Sequence, residues 1–67
     1  MTVVKVIEVI GTSPRSWEDA AKAAVKRTCK TVQNVRGAHV IAQKAVVRGG
    51  KIVEYRAVCK IAFVVKE

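Results

Sequence analysis

Acidic residues are scarce in this 67-residue chain: five Asp and Glu stand against thirteen Lys and Arg, giving a formal charge of +8. No DxDxDG loop occurs, so one chain is not expected to build a calcium site, or any other metal site, by itself. There is one histidine, His39, and no acid–nucleophile pair accompanies it. Triad chemistry needs a base, a nucleophile and an orienter, so the chain reads as non-enzymatic, with His39 as a strand residue at an interface. Neither GxxxxGK[ST] nor GxGxxG is present, and the segment GTSPRS (11–16) is therefore not a recognised phosphate loop. The two cysteines, Cys29 and Cys59, lack CxxC spacing, which excludes a disulfide-dense scaffold and a zinc ribbon. Both stand where a small apolar residue would serve, so buried free thiols are expected, with a helix-to-strand disulfide as the alternative. No apolar run reaches the length of a membrane span, and the N-terminus lacks the pattern of a secretory signal. A soluble, cytoplasmic chain with no membrane partner is the expectation. Nucleic-acid binding draws on exposed aromatics among basic residues, whereas Tyr55 and Phe63 fall on the presumed core face, so nucleic acid is not an expected partner.

What remains is apolar and basic. Hydrophobic residues make up 51% of the chain, much of it Val, Ile and Ala. Sixty-seven residues form one domain at most, spanning 1–67, and so small a domain leaves much of its surface exposed. This composition carries more apolar surface than one layer pair can hide, and self-association follows. The basic residues are spread along the chain rather than clustered, which favours a role in solubility over an anionic macromolecular partner; small anionic ligands stay open.

The elements can be read in order. TVVKVIEVI (2–10) is rich in β-branched residues and reads as a strand ending at Gly11. Lys5 and Glu8 fall on its opposite faces, so both faces are partly buried. Trp17, Ala20, Ala21, Ala24, Val25, Thr28, Cys29 and Val32 then recur at the spacing of one helical face. Ser16 with Asp19 three residues on resembles a capping box, and Pro14 precedes the cap, where no helical N–H is lost. Glu18 and Asp19 near the helix start, and Lys26, Arg27 and Lys30 near its end, suit the macrodipole. Lys22, Lys26 and Lys30 form a like-charge ladder read as a solvated face. AHVIAQKAVVR (38–48) and KIVEYRAVCKIAFVV (51–65) read as two more strands, joined at Gly49-Gly50 by a hairpin turn with positive φ at both positions. In the third strand Val53, Tyr55, Ala57, Cys59, Ile61 and Phe63 share one face; Ile52, Glu54, Arg56, Val58, Lys60, Ala62 and Val64 share the other. The fold class is therefore α+β, in the order β-α-β-β. A right-handed crossover places strand 1 beside strand 3 in a three-stranded antiparallel sheet packed on one helix. One helix covers one face, so the other must be shared between copies.

The whole chain resembles the dodecin family, through KVIEVIGTSPRSWEDAAKAAV (5–25), KTVQNVRGAHV (30–40) and GGKIVEYRAVCKIAF (49–63). The resemblance implies a hollow homododecamer, a non-enzymatic cage that binds and stores a flavin such as FMN or riboflavin. Flavin-binding dodecins stack the flavin ring on a Trp at the start of strand 2; Gly37 holds that position here. A Gln on strand 3 corresponds to Arg56, and a basic residue of some members on strand 2 to Lys44. The implied cofactor-binding residues are thus Gly37, Lys44 and Arg56, with a weakened flavin site. The Trp-less pattern is similar to a subgroup described as calcium-binding, which makes a structural or calcium-binding dodecameric cage without tight flavin binding, of natural or engineered origin, the alternative. Trp17 does not fall on the flavin-stacking position, and its implied task is packing against a neighbouring subunit.

Overall fold

A computed structural model of the chain describes residues 1–65. Its elements are β1 (Val3–Ser13), α1 (Trp17–Thr28), β2 (Val35–Arg48) and β3 (Lys51–Val65). The sheet order is β1-β3-β2, with β3 antiparallel to both neighbours, so the α+β topology expected from the sequence is the one observed. The β2–β3 hairpin turns at Gly49 and Gly50, at φ of 59° and 75°. Among the described residues no helix is long and apolar enough to cross a membrane.

The helix begins where the caps place it. The Ser16 side chain accepts from the Asp19 backbone N–H at 3.0 Å, which satisfies one of the orphan donors of the first turn. The reciprocal arm of the box is replaced: the Asp19 carboxylate turns instead to Ser13 Oγ and to Arg15, both at 2.7 Å. The helix ends at Thr28, short of the apolar stripe's last position, with the Thr28 carbonyl accepting from the Val32 and Thr31 N–H groups. Cys29 is the C-cap and is exposed, while Cys59 is fully buried in β3. The expectation of two buried thiols therefore fails for Cys29, and both cysteines are free, so the disulfide alternative falls as well.

Strand β1 does not stop at Gly11. It runs on to Ser13, and Gly11 lies directly beneath the helix. A Cβ at that position would sit 2.0 Å from the Ala20 carbonyl oxygen and 2.8 Å from the Ala24 Cβ. Glycine is there so that helix and strand can touch, not to end the strand. Strand β2 starts at Val35, earlier than its alternation suggests, because irregularities after Val35 and after Val40 absorb Arg36 and Ile41.

The core is small: Ala20, Ala24, Ala57, Cys59 and Ile61, flanked by the half-buried Ile7, Val9, Ala21, Val25 and Val35. All of it lies on the helix face of the sheet. Twelve helical residues span about 18 Å, whereas the fifteen of β3 extend about 50 Å. The molecule measures 52 × 19 × 13 Å, and the helix roofs only about a third of that length.

Candidate functional site

The register of the strands resolves the sheet face away from the helix into rows, each running across β1, β3 and β2. Thr12, Arg56 and Lys44 form one row; Ile10, Val58 and Ala42 the next. Glu8, Lys60 and His39 form a third, and Val6, Ala62 and Gly37 a fourth. We call this the open face. Several of its apolar residues are exposed, from 46% at Ile52 to 60% at Val47, with Val4, Val6 and Ile10 between, while Val58 on the central strand is buried. Its charged rows alternate with apolar ones, as expected of a surface shared with both water and a partner.

Of the residues implied by the sequence, Lys44 and Arg56 come together and Gly37 does not. Lys44 and Arg56 are directly opposite each other on neighbouring strands, and both are exposed. Like charges so placed repel. Glu54, two residues before Arg56 on the same face, relieves part of this by accepting from Arg56 Nε at 2.6 Å. Gly37 stands opposite Ala62, six residues along β3, or about 20 Å away. It borders an open depression of about 350 Å³ lined by Val6, Ala38, His39, Lys60 and Ala62. A Cβ added at Gly37 would meet nothing within 4 Å.

Trp17 supports the cationic row from the opposite side. Its ring meets Tyr55 edge-on, with centroids 4.8 Å apart and planes at 81°, and its Nε1–H donates to the Lys44 carbonyl at 2.8 Å. It therefore packs within its own chain, pinning β2 at Lys44 and β3 at Tyr55, the neighbour of Arg56. This role was not readable from the sequence, since it depends on which β2 residue the bulges bring under the helix start. Thr12 was missed for a similar reason: it joins the row only because β1 continues past Gly11.

Four charges around the start of the helix are committed to structure. The hydrogen bond from Ser13 holds the Asp19 carboxyl below its ordinary value, burial opposes this, and the Arg15 and Lys22 charges reinforce the lowering. Glu18 accepts from Lys22 at 3.0 Å and raises the lysine's pKa. Among the described residues Glu8 makes no ion pair, and no group of three or more His, Cys, Asp or Glu side chains is gathered that would hold a metal. A hard divalent cation asks for six to eight oxygens, so the side chains of one chain do not fit it. For a flavin the fit is divided. Lys44 and Arg56 suit an anionic tail, but the open face carries no aromatic among the described residues: Tyr55 and Phe63 lie on the helix face and Trp17 on α1.

A family model described as Dodecin matches residues 3–66. The calcium dodecin of Mycobacterium tuberculosis is 44% identical over 63 residues, covering 94% of this chain and 89% of that protein. A crystal structure of the M. tuberculosis protein, described as a calcium-chelating immunodominant antigen with a novel calcium-binding site, is similar at a TM-score of 0.84 and 46% identity, over 96% of this chain and 91% of the other. A single-substitution variant of the T. thermophilus dodecin reaches a TM-score of 0.94 at 28% identity, over the whole of both chains. In sequence the chain is nearer to the calcium dodecin than to the thermophile protein, and in backbone the order is reversed.

Proposed function

The chain belongs to the dodecin family, and from that membership we propose that it is a non-enzymatic shell protein, assembling as a hollow homododecamer that binds a small flavin-type ligand. The observation that carries this reading is that the one helix lies on one face of the sheet and spans about 18 Å of its roughly 50 Å, which leaves the open face, and much of the helix face, without cover in one chain. At about 25 cal/mol per Å² of apolar surface removed from water, covering such a face is the largest favourable term left to the chain. The separation of Gly37 from Lys44 and Arg56 agrees with this, since the three can line one pocket only if more than one copy contributes. FMN or riboflavin is the ligand class, held by Lys44 and Arg56 with Gly37 bordering the ring; the missing ring platform weakens binding by about 1–3 kcal/mol.

Native mass spectrometry of the purified protein tests assembly and retained ligand together. A mass near twelve chains is expected, with quenching of FMN fluorescence at micromolar protein. A monomer overturns the assembly, and absent quenching at a hundredfold higher concentration overturns the ligand.

A second reading, an ion-binding cage, is favoured by the 44% identity to a protein named for calcium. Such a site must collect oxygens from several copies, and Glu8, without an ion pair among the described residues, is the carboxylate open to it. Calorimetric titration with calcium, repeated on Glu8→Gln, decides it: loss of binding in the variant supports the reading, and no heat in the parent protein removes it.

A further inference from the structure

We propose that the open face selects its ligand by a phosphate group, at Lys44 and Arg56, and is indifferent to the ring that the phosphate carries. The inference rests on the flavin-type site proposed above and narrows what that site reads.

The donors are present and unspent. A guanidinium has five N–H groups, and Glu54 takes only the one on Arg56 Nε. The two terminal nitrogens of Arg56 and the Lys44 ammonium have no hydrogen-bond or ion-pair partner among the described residues. The row continues through the exposed Thr12, opposite Arg56 on β1, which makes three adjacent donor side chains on three strands. Two cations facing each other across a strand pair repel, and a bridging anion turns that repulsion into two charge-assisted contacts. Phosphate suits this best, because the guanidinium fork matches its oxygens and the lysine adds a point charge. Glu54 is the opposing charge. It orients Arg56 through Nε and leaves the terminal nitrogens as the fork.

The rest of the ligand finds no stacking partner. The neighbouring row is aliphatic, with Ile10 exposed, Ala42 half-buried and Val58 buried between them, and the open face has no aromatic among the described residues. An aliphatic floor contacts any flat body without distinguishing one ring from another, so discrimination falls to the charged end. The seat is also held in place, because Trp17 bonds the Lys44 carbonyl from the far side of the sheet. The chain's one tryptophan is therefore one hydrogen bond away from the site and reports its occupancy.

The test titrates the assembled protein at low salt with FMN, with riboflavin and with inorganic pyrophosphate, following flavin emission and Trp17 emission together. FMN is expected to bind about tenfold or more tighter than riboflavin, the difference of one contact to a charged group. Pyrophosphate is expected to displace FMN, and Arg56→Gln to bring the two flavins to near-equal affinity. Arg56 and Lys44 are exposed, so Arg56→Gln and Lys44→Met remove donors without touching the core. Equal binding of FMN and riboflavin by the parent protein overturns the phosphate seat and leaves the flavin reading intact. A Trp17 response to pyrophosphate with neither flavin bound keeps the seat and overturns the flavin reading. No response to any of the three overturns both.

Discussion

A methyl group at Gly11 would have to occupy the space of a backbone carbonyl, 2.0 Å from the Ala20 oxygen. Backbone cannot rotate away as a side chain can, so Gly11→Ala forces the helix off the sheet. The expected cost is about 3 kcal/mol, at the upper end for overpacking, read as a fall in the urea midpoint; an unchanged midpoint would contradict the close crossing. Gly37 has the opposite character, since a side chain there enters open space. Gly37→Trp is expected to leave the midpoint unmoved and to tighten flavin binding by about tenfold or more, the worth of one stacked ring. The cysteines differ likewise. Burial pushes the Cys59 thiol up, away from its reactive form, while Cys29 is exposed. One thiol per chain should react with an aromatic disulfide reagent under native conditions and two after denaturation. Sequence alone cannot separate these pairs. Both glycines follow strand-like or turn-like runs, and both cysteines fall among small apolar residues; what distinguishes them is what passes overhead.

The start of the helix is the element whose stability depends on acid. Ser13 lowers the Asp19 pKa most, and Arg15 adds to this. A carboxylate with a lowered folded value contributes stability above its unfolded value, near 3.8, and loses it as the pH falls through the folded value. Denaturation midpoints should therefore decline on acidification below that point, and Asp19→Asn should flatten the decline; an unaltered slope in the variant would assign it elsewhere. Trp17→Phe keeps a ring against Tyr55 but removes the donor to the Lys44 carbonyl. About 1 kcal/mol should be lost, with hydrogen exchange quickening around Lys44 in β2. The start of the helix, the hairpin and the limits of β3 were legible, because cap residues, paired glycines and strict alternation are local signals, while the helix end falls a turn short of the apolar stripe. The end of β1 and the beginning of β2 were not. One is fixed by a tertiary contact, and the other by irregularities that break the alternation on which the reading relies.

At the scale of the whole molecule, charge and shape pull in opposite directions. The open face favours association, while twelve copies at +8 each would carry formally about +96 charges. Assembly should consequently tighten with added salt or phosphate and loosen at low ionic strength, as native mass spectrometry or light scattering would show; assembly favoured by dilution of salt would mean that the copies meet through opposite charges instead. Much of the candidate site was legible only as a set of positions. That Lys44 and Arg56 meet while Gly37 stands about 20 Å off is a matter of register, and register is not written in composition or spacing. Sheet order has a further result, for the making of the chain. The middle strand, β3, follows β1 and β2 along the chain, and each of them pairs with it and not with the other. A nascent chain that has emerged as far as residue 50 holds two strands and a helix with no ladder to join, so its apolar residues wait unpaired until β3 has left the ribosome. Formation of the sheet therefore waits for β3, and a nonsense codon anywhere before β3 yields no smaller version of the fold, only an unstructured and sticky fragment.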